Sequence, residues 1–138
     1  MKESDLQEQI ATYLKFCYPD VLFHSDFGSG IKLTMGQAIR QKKQNGGRRA
    51  WPDMVIAEPV NQNMSGTPTI GINCYGLFLE LKREKTRLKK KNGEWASEHI
   101  AEQAEVLEKL RERGYKAEFA VGFDEAKQIL DDYLGEKK

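Results

Sequence analysis

The chain has 138 residues, of which 39% are Ala, Val, Ile, Leu, Met, Phe, Trp, Tyr or Cys and 31% are charged. That composition suits one hydrophobic core and excludes disordered and fibrous classes. No run approaches the roughly 18 apolar residues of a spanning helix, and Met1 to Gln9 is too polar for a secretory leader. The expectation is a single domain over residues 1–138, soluble in the cytoplasm and without a membrane partner.

Leu6, Ile10, Tyr13, Leu14 and Cys17 fall at helical spacing, Ser4 with Gln7 resembles a capping box, and Tyr18-Pro19 stops the pattern, so the domain opens with an amphipathic helix. Val21 to Phe27 is β-branched and aromatic and predicts a strand ending at Gly28-Ser29-Gly30. Thr34 to Gln44 reads as a basic helix or an ordered loop running into Asn45-Gly46-Gly47. Met54 to Ala57 is a short strand directly after Trp51-Pro52-Asp53, and Glu58 to Gly71 reads as a long hairpin connection. Leu77 to Lys82 is the strongest strand. Leu77, Leu79 and Leu81 alternate onto one face, while Phe78, Glu80 and Lys82 alternate onto the other.

Ser97 caps a helix reaching Arg113, with Ile100, Ala104, Leu107 and Leu110 as its stripe and Gly114 closing it; Gln103 lies on that stripe. Tyr115 to Gly122 is an alternating strand built on Ala117, Phe119 and Val121. Asp124 caps a last helix carrying Ala126, Ile129, Leu130, Tyr133 and Leu134. Cys17 and Cys74 match no metal-ligand spacing and read as reduced structural residues. The expected fold is α/β, a central mixed sheet of about four strands flanked by helices.

The net charge of +1 conceals a strong segregation. Arg40 to Arg49 holds five basic residues and Lys82 to Lys91 holds seven, with Glu84 the one acid in those windows. Local positive potential of this kind attracts phosphate backbones, although a solvated lysine-rich loop would look the same.

Asp53 stands at the start of one strand, and Glu80 and Lys82 project from one face of another, so the three can converge. Two carboxylates are the usual protein share of a Mg²⁺ site, the remainder being water and substrate phosphate oxygens. A lysine about 7 Å further along the strand can orient a water or stabilise charge developing on phosphate. The chemistry implied is metal-assisted phosphodiester hydrolysis. Bland readings stand beside it: Asp53 as a turn residue, Glu80 and Lys82 as an ion pair, and Gln103 satisfied by backbone. Trp51 and Trp95 could stack on bases or simply pack.

Pro52-Asp53 followed by Glu80-Leu81-Lys82 resembles the PD-(D/E)XK nuclease signature. The likeness is closer to the VRR-NUC (virus-type replication-repair nuclease) domains, in particular the stand-alone bacterial and phage type. It rests on Glu3 and Gln7 in the first helix and Phe27-Gly28-Ser29-Gly30 after the first strand. It continues through the approach Asn45-Gly46-Gly47-Arg48-Arg49-Ala50-Trp51, the strand Gly76 to Lys82, and Gln103, Leu107, Leu110 and Gly114-Tyr115. The family often has Gly where this chain has Trp51.

The resemblance implies a restriction-endonuclease-like core with Asp53 and Glu80 binding Mg²⁺ or Mn²⁺, Lys82 activating or orienting the water, and Glu3 and Gln103 completing the catalytic site. Glu8 is the alternative first-helix carboxylate. Arg48, Arg49, Lys85, Arg87, Lys89, Lys90 and Lys91 would contact nucleic acid. The activity implied is a structure-specific DNA endonuclease acting on branched DNA such as four-way (Holliday) junctions, in DNA repair, as a homodimer in a bacterial or phage-infected cell. The competing function is a non-catalytic nucleic-acid-binding module using the same basic segments.

Overall fold

A computed structural model describes residues 2–26, 33–48, 50–61 and 73–135. In chain order the elements are α1 (Glu3–Cys17), β1 (Phe23–Ser25), α2 (Met35–Gln44), β2 (Met54–Ile56), β3 (Leu77–Lys82), α3 (Glu98–Glu112), β4 (Lys116–Val121) and α4 (Phe123–Leu134). The four strands form one mixed sheet in the order β1-β2-β3-β4. The first two pairings are antiparallel and β3–β4 is parallel, with α3 as its crossover. The fold is therefore α/β, as the alternation of elements predicts. The Gly28-Ser29-Gly30 segment, Arg49 and most of the connection between β2 and β3 lie outside the described residues.

The period-two pattern of β3 decides the layers. Leu77, Leu79 and Leu81 are buried with Leu6, Ile10 and Leu14 of α1 and with Ala126, Leu130, Tyr133 and Leu134 of α4. Phe78 packs on the opposite face with Val106, Leu107 and Leu110 of α3 and Ala117 of β4. With helices on both faces, β3 is buried along nearly its whole length, so its second face can carry Glu80 and Lys82 out of water.

Several local expectations need correction. Ser4 is not the cap of α1: the helix begins at Glu3, and Asp5 Oδ2 accepts the Lys2 N–H at 3.4 Å. Cys17, placed on the apolar stripe, is exposed in the last turn, whereas Cys74 is buried. The first strand is only Phe23–Ser25, because it lies at the sheet edge and pairs with the equally short β2. Of the two readings of Thr34 to Gln44 the helix holds, as α2, in which Thr34 Oγ1 accepts the Gln37 N–H. In α3, Val106 takes the core position expected of Ala104. Asp124 lies in the first turn of α4, and the N-cap is Gly122, whose φ of 84° turns the chain directly out of β4. A Cβ at Gly122 would stand 2.9 Å from Glu84 Cγ, so both the turn and the contact require glycine.

The basic segment after β3 is more ordered than a solvated loop. Lys90 N–H donates to the Glu94 carbonyl at 2.7 Å and Ala96 N–H to the Leu88 carbonyl at 2.7 Å, forming a small hairpin turned at Gly93. Lys89 lies 4.7 Å above the Trp95 ring, and Trp95 packs on Phe119 at 5.7 Å. No helix among the described residues is long and apolar enough to cross a membrane.

Candidate active site

The sheet is interrupted where β2 begins. Met54 pairs with Leu79, and Pro52 breaks the strand just before it, so on this side of β3 no β2 residue stands opposite Leu81. The Leu81 N–H donates instead to Asp53 Oδ2 at 2.7 Å, and the carboxylate takes the place of a ladder carbonyl. That bond ties Asp53 to the strand that carries Glu80 and Lys82.

Gln7 of α1 holds the same turn from the other side. Its Nε2 donates to the Asp53 carbonyl at 3.3 Å and to the Asp26 carbonyl at 3.2 Å, while the Asp26 N–H also donates to the Asp53 carbonyl at 2.7 Å. Sequence reasoning assigned Gln7 no chemical part. Its signal was a glutamine one turn after Glu3 in the buried stripe of α1, where an amide needs partners.

Asp53, Glu80, Lys82 and Gln103 are all buried, with relative exposures of 8%, 3%, 6% and 5%. Gln103 Nε2 donates to Glu80 Oε1 at 2.6 Å. The glutamine on the apolar stripe is therefore satisfied by a carboxylate on the facing strand and not by backbone. The far oxygens, Glu80 Oε2 and Gln103 Oε1, are enclosed with no hydrogen-bond partner. Burial pushes the Glu80 carboxyl far above its ordinary range, and the negative charge of Asp53 pushes the same way. Lys82 opposes the rise, and Glu3 adds to it. Two carboxylates pressed together out of water are stable only with a shared proton or a bound cation.

The donor set fits a hard divalent cation. Its atoms are oxygens, two of the groups are carboxylates, and an acceptor stands enclosed without a donor. Among the described residues no three His, Cys, Asp or Glu side chains gather closely enough to hold a metal by themselves. Water and substrate oxygens would have to complete the coordination.

These residues form the floor of an open cleft of about 760 Å³. Glu3 lines it from the start of α1, whereas Glu8 is exposed and does not. Lys42 and Arg48 line the rim from α2 and the turn that follows. Lys85, Arg87, Lys89, Lys90 and Lys91 are exposed on the excursion after β3 and lie outside the cleft lining. His99, to which sequence reasoning gave no role, also lines the cleft. It precedes Gln103 by four residues on α3, which puts both on one helix face.

Neither a family model nor a curated protein matches the sequence. Among solved structures the chain is similar to a VRR_NUC domain protein, with a TM-score of 0.63 and 19% identity, over 98% of this chain and 89% of that one. At that identity the likeness is one of fold. The four-stranded mixed sheet with its flanking helices is a VRR-NUC fold.

Proposed function

We propose that the chain is a metal-dependent endonuclease that hydrolyses DNA phosphodiester bonds, with branched DNA such as four-way junctions as its substrate. One observation carries the reading: a buried Asp53–Glu80 carboxylate pair, with Glu80 Oε2 lacking a partner, at the floor of a cleft rimmed by Lys42 and Arg48. The VRR-NUC fold supports it.

Asp53 and Glu80 are the groups that would hold Mg²⁺ or Mn²⁺, with Glu3 the next carboxylate in the cleft. Such an ion supplies Lewis-acid charge against the phosphate oxygens. The remaining work belongs to the chain. Gln103 fixes the Glu80 carboxylate through Oε1, and the Leu81 N–H fixes Asp53 through Oδ2, so both carboxylates are pre-oriented. Lys82, two residues beyond Glu80 on the same face, holds the attacking water toward phosphorus and compensates the charge that grows on the phosphate. The water oxygen bonds to phosphorus and gives up a proton to bulk water as the P–O bond to the leaving sugar oxygen breaks, and that oxygen takes up a proton from bulk water. Arg48, Arg49 and the basic hairpin with Lys85, Arg87 and Lys89 to Lys91 hold flanking phosphates. Cutting both strands of a symmetric junction calls for two sites, so the active species is a homodimer.

The test is incubation of the protein and of Asp53→Ala with labelled junction, flap and duplex DNA in Mg²⁺, Mn²⁺ or chelator. Metal-dependent cutting of branched DNA, lost in the variant, is expected. Binding without cutting under either metal would overturn the reading in favour of a non-catalytic binding module.

A further inference from the structure

A cleft that handled only phosphates and a cation would need carboxylates and cationic groups. This one also has an apolar wall. Trp51 is 41% exposed and Ile39 of α2 is 52% exposed, and both line the same cleft as Asp53 and Glu80. Leaving an indole in water forgoes a large burial gain, so its outward placement calls for a reason.

The backbone is bent to achieve that placement. Ala50, immediately before Trp51, has a φ of 62°, a left-handed conformation that a non-glycine residue rarely adopts. Asp53, two residues after Trp51, enters the floor, so a single turn sets the indole at the wall and the carboxylate below it. The indole is also backed. Its ring leans on Phe78 at 6.4 Å and 44°, and Phe78 is held edge-on by Tyr115 at 5.3 Å. A rigidly backed ring loses little entropy when a flat partner stacks on its open side.

Lys42 and Arg48 at the rim identify the partner's chemistry, because a flat ring flanked by phosphates is a nucleotide. In continuous duplex every base is covered by its neighbours and no ring face is free. We propose that Trp51 is a base-stacking platform that makes the cleft select an unpaired nucleotide beside the scissile phosphate, as found at a flap or a splayed branch point. This deepens the nuclease reading above and rests on it for the word scissile; the stacking itself is read without cutting.

The chain holds two tryptophans, so Trp95→Phe leaves Trp51 as the sole indole emitter. That variant would be titrated in chelator with flap DNA, with the same flap carrying abasic residues at the branch, and with plain duplex. Quenching of Trp51 by the base-bearing flap is expected, with the abasic flap bound about 5- to 150-fold more weakly, the worth of one stacked base. Adding Trp51→Ala should weaken flap binding by the same factor and leave duplex binding unchanged, and Trp51→Phe should restore most of it. Equal binding of the base-bearing and abasic flaps, or an equal loss of flap and duplex binding in Trp51→Ala, would overturn the proposal. If Trp51→Ala does not fold, as judged by its melting curve, the abasic comparison decides alone. Base-dependent quenching without cleavage in Mg²⁺ or Mn²⁺ supports the platform while overturning the nuclease reading. Cleavage that is indifferent to Trp51→Ala does the reverse.

Discussion

Replacing Glu80 by glutamine should make the metal-free protein more stable and its response to metal disappear. Glu80 is 3% exposed, sits against Asp53, and has one oxygen without a donor. The amide keeps an oxygen to accept from Gln103 Nε2, presents N–H donors toward the Asp53 carboxylate, and carries no charge out of water. Relieving one buried unsatisfied acceptor is worth about 1–3 kcal/mol. Unfolding entropy near 2.1 cal/mol/K per residue gives about 290 cal/mol/K for 138 residues. The variant should therefore melt about 3–10 °C above the parent in chelator. Mg²⁺ at a hundred times its dissociation constant should stabilise the parent by about 2.7 kcal/mol, roughly 9 °C on the same scale, and leave the variant unmoved. Calorimetric or fluorescence melts in chelator and in Mg²⁺ make the comparison. A variant that melts below the parent in chelator, or that gains as much from Mg²⁺, would refute the argument that these carboxylates are a cation site.

Gln103→Leu strips the donor from Glu80 Oε1 but also removes the enclosed, unpartnered Gln103 Oε1, so two effects of about 1–3 kcal/mol each should largely cancel in urea titrations. Titration calorimetry should then show Mn²⁺ bound about 10- to 100-fold more weakly, and unchanged affinity would deny Gln103 its orienting role. Stability should also vary with pH through Asp131, which accepts from Tyr13 and Tyr18 and lies 3.1 Å from Lys127 Nζ. Burial alone would raise the Asp131 carboxyl, but the Tyr13 and Tyr18 hydrogen bonds and Lys127 outweigh it and hold it below its usual 3.8. Its contribution is complete above that value and lost as the pH falls below it. Burial, and then Asp131, push Tyr18 up from 10.0 to about 12, so its contribution is complete below 10.0 and lost over that interval. Asp131→Asn should flatten both limbs of the urea midpoint plotted against pH, and an unaltered curve would contradict the assignment. Neutralising Lys89, Lys90 and Lys91 together should lower the slope of log affinity for duplex DNA against log salt by up to about 2.7, at 0.9 per phosphate contact. An unchanged slope would mean that the hairpin does not touch DNA.

The layers were legible because β3 announces them: three leucines alternating with Phe78, Glu80 and Lys82 can only separate two packed faces. The helix ends were less legible. Gly122 caps α4 through a backbone turn, and no side-chain pattern distinguishes that from Asp124 accepting the first amides. Strand alternation put Glu80 and Lys82 on one face, within reach of Asp53 at the start of the neighbouring strand, and the nuclease resemblance implied Gln103, whose sign in the sequence was a polar residue on an apolar stripe. What could not be read was how they are held. The Leu81 N–H binds the Asp53 side chain only because the register leaves that amide without a strand partner, and register is a property of two segments together. The bonds of Gln7, named in the sequence only as part of the family resemblance, and the place of His99 were not foreseen for the same reason, since each depends on segments remote in sequence.

Asp53 standing in for a ladder carbonyl has a consequence for how the cleft comes into being. The bond that orients this carboxylate is also the last rung between β2 and β3, and Gln7 closes the same turn only once α1 has docked. No single element holds the whole floor, because its members come from helix α1, the strand interruption, β3 and α3. Completion of the sheet and assembly of the cleft floor are thus coupled. On the nuclease reading proposed above, an emerging or damaged polypeptide would lack hydrolytic capacity, and a cell that makes this protein would meet that capacity only in the finished fold.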